Sequence, residues 1–227
     1  MVDGAFRKIF HVKSTCNFPY ISINWAFPIQ YDKLADLEVY FKILLESKAK
    51  GSLQQLLIKD GFSTYLGIVT AQTNTFYLLI IEIHLTQKGL DQYKRVIQMF
   101  FSYLKFIESN PIQIYLLEEE LKIRKNRNYS NLFKPKNTET VRCDARALHW
   151  CPTRHFNYRE LQFSTDNERI KEFINRFQPE NSIVTLMTSS ELPVGKDSEA
   201  TTVCEVKYWT EDLDLENMVD SSIQFSN

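Results

Sequence analysis

Two apolar runs joined by three turn-forming residues constrain the fold of this chain more than any other feature. Residues 62–70 read FSTYLGIVT, residues 75–85 read TFYLLIIEIHL, and QTN lies between them at 72–74. Aromatic and β-branched side chains suit a pleated, half-buried surface, so both runs are expected as strands. A turn that short joins neighbours, and the pair is expected as an antiparallel hairpin. The second run is apolar on both faces for part of its length, which places it inside a sheet. Upstream, Ile21, Ile23, Trp25 and Phe27 alternate with Ser22, Asn24 and Ala26. That period of two predicts a strand with one buried face, ended by Pro28. SIVTLMTS at 182–189 is a fourth strand.

Between these runs the period changes. Leu34, Leu37, Phe41 and Leu44 fall on one face of a helix over 33–46. Gly51 breaks the chain, and Ser52 can cap a short helix that Gly61 stops in the left-handed region. After Thr86, the residues Leu90, Tyr93, Ile97, Phe100, Leu104 and Ile107 recur at three and four, which predicts a long amphipathic helix. Pro111 suits the first turn of a further helix, 141–150 is helical up to Pro152, and 167–177 forms another. A last short helix is expected near 211–219. The order is strand, helices, hairpin, long helices, strand. It implies an α+β two-layer sandwich, a mostly antiparallel sheet covered on one face by helices. A doubly wound parallel sheet would need strands alternating with single helices, and the hairpin opposes that. The expected limits are a linker over 1–17, one domain over 18–219 and a tail over 220–227.

With 44% hydrophobic and 13% aromatic residues, the 227-residue chain can bury a large core. Its net charge of −1 gives no basic field for nucleic acid or acidic lipid. Cys16, Cys143, Cys151 and Cys204 form no CxxC pair and no disulfide framework, which points to reduced thiols and a cytoplasmic protein. Phe76–Ile83 is too short for a membrane span and contains Glu82. The first residues lack the apolar stretch of a signal peptide.

A zincin-type centre needs two histidines on one helical face with a glutamate beside them to activate water. His11, His84, His149 and His155 offer no such pair, and H-x-x-E-H is absent from the sequence. Cys143, His149, Cys151 and His155 carry zinc-compatible donors, but two helical turns between the thiols are too many for one ion. A helix end packed on the sheet is the reading taken there. EEELKIRKNR at 118–127 reads as a solvated helix face with i,i+4 pairs such as Glu118–Lys122. Gly51, Gly61 and Gly67 make no phosphate loop. No catalytic and no metal-binding residues are assigned in this chain.

Several local words nevertheless recur in one known family and in the same order. KGSLQQLLIKDGF at 50–62 resembles the GSL-x-x-x-L-x-x-x-GW segment of the insulinase metallopeptidases, the pitrilysin-like and insulin-degrading-enzyme-like family, with Phe62 in place of Trp. The run from Glu82 to Ile107 is similar to the family's strand–LT-x-x-G–helix unit. ALHWCP, FQPENSIVTLMTS and VKYWTEDL resemble three later segments, the last just past the fold. The resemblance spans about Gly4 to Met218 and points to the second domain, a metallohydrolase-like domain without the metal motif. It implies a chamber of homologous domains with zinc held elsewhere, so no cofactor in this chain. The partners implied are a zinc-bearing catalytic domain, in cis or trans, and peptide substrates, with no nucleic acid and no membrane. It also implies a peptide-binding edge strand at Leu66, Gly67 and Ile68, with Gly51 facing it from the preceding loop. The physics would be β-augmentation, in which free backbone groups of an edge strand hold peptide backbone. Here Ile68–Val69 stands where the family has a Gly-Gly-like pair. On this resemblance the chain reads as the chamber-wall domain of a zinc metalloendopeptidase, seen as a fragment or split polypeptide. The alternative is a stand-alone inactive homologue acting as an interaction or regulatory protein, and a third is an unrelated enzyme on the same sandwich.

Overall fold

The computed structural model describes residues 6–16, 18–28, 41–46, 48, 50–72, 75–110, 167–189, 199–200, 206–214 and 218–225, with isolated helical positions between 118 and 145. Among the described residues, seven strands form one sheet: β1 (Lys8–Lys13), β2 (Tyr20–Pro28), β3 (Ser63–Gln72), β4 (Phe76–Leu85), β5 (Ile183–Thr188), β6 (Glu199–Ala200) and β7 (Lys207–Asp212). Their order across the sheet is β3-β4-β2-β5-β1-β7-β6. Every neighbouring pair is antiparallel except β1–β5, which is parallel. The fold is the mostly antiparallel α+β sandwich that the sequence implies.

The hairpin is β3–β4, and β4 lies inside the sheet between β3 and β2. Its side chains alternate strictly: Tyr77, Leu79, Ile81, Ile83 and Leu85 are buried, while those between are half-buried. Ile21, Ile23, Trp25 and Phe27 of β2 and Val184 and Leu186 of β5 extend the same buried face. The helices pack there: α1 (Leu53–Lys59), α2 (Gln87–Asp91), α3 (Tyr93–Ser109) and α4 (Asn167–Ile174). From α3 come Ile97, Phe100, Leu104 and Ile107, as the helical period predicts. Trp25 meets the ring of Phe177 edge-on at 5.2 Å, and Phe41 stacks on Phe177 at 4.5 Å. Aromatic pairs of this kind add to what area burial alone supplies.

Local chemistry sets the joints. Ser52 Oγ accepts from the Gln55 amide and caps α1, and Gly61 follows it at φ +74°. Thr86 Oγ1 accepts from the Gly89 amide and donates to the Gly61 carbonyl at 2.6 Å. The N-terminus of α2 is thereby tied to the end of α1. Gln92, at φ −122° and ψ 34°, separates α2 from α3, so the expected single helix is two.

The two ends of the chain depart from expectation. Residues 8–13, placed in a linker, form β1 in the interior of the sheet, between β5 and β7. Residues 211–212, expected in a short helix, close β7, and residues 213–214 and 218–220 are not helical. Trp209 explains the strand: its ring stacks on His11 of β1 at 3.7 Å. Stacking and the β1 ladder, Lys8↔Asp212 through Val12↔Tyr208, outweigh a weak local preference for helix. The helices expected over 111–128 and 33–46 are described only in part, the second as residues 41–46.

Candidate peptide-binding edge

β3 is the first strand in the sheet order, so its outer side has no strand neighbour among the described residues. In an antiparallel ladder the backbone groups of alternate residues point toward the partner strand and away from it. The parity is fixed at Ile68, whose amide donates to Glu46 Oε1 at 3.1 Å and so points outward. From Tyr65 to Gln72 the register with β4 runs without interruption. Leu66 and Thr70 therefore share the outward parity, and Gly67 and Val69 face β4.

The four residues expected at this edge fall in different places. Leu66 and Ile68 direct their backbone groups outward while their side chains are buried in the core, at 0% and 7% exposure. A charge introduced at Leu66 would strike the core as well as the edge. Gly67 spends its backbone on the β4 ladder. A Cβ there would stand 2.0 Å from Tyr65 Oη, so the glycine makes room for the Tyr65 ring lying across it. Gly51 adopts φ +87°, and its amide donates to Gln55 Oε1 at 3.3 Å within its own turn.

Glu46, which no sequence motif singles out, is the side chain that meets this edge at Ile68. It sits among the last described residues of the helix over 41–46, and its side chain is 31% exposed. Lys42 Nζ lies 3.9 Å away, one turn back. A carboxylate near a helix C-terminus opposes the helix dipole. That local conflict is the one signal in the sequence that Glu46 serves a contact elsewhere.

The sheet face opposite the helices carries a row of rings in cross-strand register, Tyr20↔His84↔Tyr65. His84 lies 4.6 Å from the ring of Phe18 and 5.0 Å from that of Tyr65. Glu82 occupies the next row, between Ser22 and Gly67. Partial burial, and then the negative charges nearby, push both tyrosine hydroxyls above their ordinary pKa; Cys16 and Glu82 act on Tyr20, Glu46 and Glu82 on Tyr65. Both are neutral hydrogen-bonding groups near neutral pH.

A second polar group lies where β7 meets β1 and α3. Glu211 Oε1 accepts from the Tyr93 hydroxyl and stands 3.0 Å from His11 Nε2, while Oε2 lies 3.1 Å from Lys94 Nζ. Burial alone would raise the Glu211 carboxyl, but these hydrogen bonds and the His11 charge outweigh it and hold it below the usual range. Burial, then the Glu211 bond, drives the Tyr93 phenol far above its ordinary value. The cluster joins β1, β7 and α3 through these contacts.

His11 and His84 stand on different strands, β1 and β4. Among the described residues no three His, Cys, Asp or Glu side chains are placed to hold a metal ion. Cys143, His149, Cys151 and His155 lie outside the described residues. No helix of the described residues is long and apolar enough to cross a membrane.

No family model matches the chain. It is 24% identical to the protein mug138 of Schizosaccharomyces pombe over 223 residues, 96% of this chain and 23% of that protein. It is 25% identical to nardilysin of Rattus norvegicus over 195 residues, 82% of this chain and 16% of that protein. The chain thus spans a quarter or less of the length of these curated relatives. Among solved structures, pitrilysin superposes with a TM-score of 0.84 at 16% identity, over 97% of this chain and 24% of its own. An inactive peptidase domain from Bordetella parapertussis superposes with a TM-score of 0.61 at 16% identity, over 80% of this chain and 96% of its own.

Proposed function

We propose that this chain, which resembles the insulinase-type metallopeptidases in sequence and has the fold of one of their non-catalytic domains, serves as a wall of a peptidase chamber. In this reading it supplies β3 as an edge on which extended peptide is held, and a separate domain bearing H-x-x-E-H, in cis or in trans, supplies zinc and cleavage. Its substrates are peptides, its working partner is that catalytic domain, and its compartment is the reducing cytoplasm. The observation that carries the reading is the pairing of a pitrilysin-like fold with a sequence that has no H-x-x-E-H motif. Edge-strand addition suits the role, since backbone hydrogen bonds hold many sequences with little preference.

Metal content and cleavage of a quenched fluorescent peptide test the proposal, with this chain alone and mixed with an H-x-x-E-H-bearing first domain from the same source. The expected result is no bound zinc and no cleavage alone, with cleavage on mixing. Stoichiometric zinc or cleavage by this chain alone overturns it.

A further inference from the structure

The hydrogen bond at the β3 edge does more than position a side chain. An incoming strand would place a backbone carbonyl on the outward amides of β3, such as those of Leu66 and Ile68, spaced roughly 7 Å apart. That of Ile68 already donates to Glu46 Oε1 at 3.1 Å. A carboxylate oxygen is a carbonyl analogue and, being charged, the stronger acceptor. We propose that Glu46 is a built-in cap of the β3 edge, occupying on Ile68 the place of an incoming strand's carbonyl, so that an extended peptide docks only by displacing it.

Three observations give this contact the character of a gate. Glu46 comes from a segment separate from the sheet, so it can leave without disturbing the β3–β4 ladder. Its side chain is 31% exposed, so a displaced carboxylate recovers water at once. Lys42 lies one helical turn away and remains to accompany it, though at 3.9 Å the pair makes no hydrogen bond now. Displacement is therefore reversible and costs little beyond one charge-assisted bond. Once displaced, the carboxylate stands beside the docked strand. It repels a peptide carrying Asp or Glu opposite Ile68 and tolerates a neutral or basic one.

This inference rests on the peptide-binding reading of β3, and two measurements on the full chain separate their failures. Amide exchange at Ile68 reads the cap without any peptide. Fluorescence titration with a short neutral peptide reads docking. Glu46→Ala is expected to speed exchange of the Ile68 amide about tenfold and tighten peptide binding about fivefold, the effect of one net hydrogen bond. Glu46→Gln keeps an acceptor oxygen without the charge and is expected to fall between the parent and Glu46→Ala in both. Unchanged Ile68 exchange in Glu46→Ala overturns the cap. Faster exchange with unaltered or weaker peptide affinity, or with dimers in its place, overturns the gate. Faster exchange with no peptide binding by parent or variant leaves Glu46 as the cap and removes the peptide-binding reading.

Discussion

At Gly89 the chain has no room for one more carbon atom. A Cβ there would stand 1.9 Å from the carbonyl oxygen of Phe62, a backbone atom that cannot swing aside. The same carbonyl accepts from the Thr86 amide at 3.0 Å, so α2 is seated on the chain that leaves α1. Gly89→Ala is expected to cost about 2–3 kcal/mol by forcing that junction open. For a domain of this size the melting temperature should then fall by roughly 5–10 °C in a thermal melt. An unchanged melt would show that the junction has slack. The sequence displayed the LTQKG word but not its reason, because the reason is a tertiary approach between residues 62 and 89. Glu46 was hidden in the same way. Its helix was legible by period, whereas its target amide depends on which side of β3 faces outward.

The elements divide according to how locally they are determined. The β3–β4 hairpin and α3 were legible because strict alternation and a sustained helical period need no distant partner to be read. Strands β1 and β7 were not, because each is short and carries charged or polar residues in half or more of its positions. Their apolar faces make sense only against each other, through the His11–Trp209 stack. Glu211 supplies the test at this scale. Its folded pKa is depressed, so the stability it contributes is present above the unfolded value near 4.5 and is lost as pH falls through the folded one. Chemical denaturation should therefore show stability declining below about pH 5. Glu211→Gln should flatten that decline and remove about 1–2 kcal/mol at neutral pH, the worth of a charge-assisted bond. Equal slopes in parent and variant would exclude Glu211 as the titrating group.

Across the whole molecule, residues 220–225, expected in a tail, close over the long helix. The Phe225 ring lies 5.0 Å from Tyr103 and 5.6 Å from Phe106. Arg95 pairs with Asp220 at 2.6 Å, and the Asp220 amide donates to Ser102 Oγ at 2.8 Å. Phe225→Ala should cost about 1–2 kcal/mol, less than a fully buried ring because Phe225 is half-exposed. A thermal melt indistinguishable from the parent would show that the segment does not brace α3. The tail was misread because its aromatic anchor is a lone residue among polar ones, without period. The topology also governs how the chain can be built on a ribosome. His11 and Glu211, 200 residues apart, meet at a junction where β1 is held by β5 on one side and β7 on the other. Of the described strands, the first to be synthesised is thus among the last to find its neighbours. Synthesis at about 5–20 residues per second leaves its unpaired backbone and the apolar side chains of Ile9 and Phe10 uncovered for on the order of ten seconds or more. The β3–β4 hairpin, closed through a turn of a few residues, can form meanwhile and stand as the template onto which the rest of the sheet is laid.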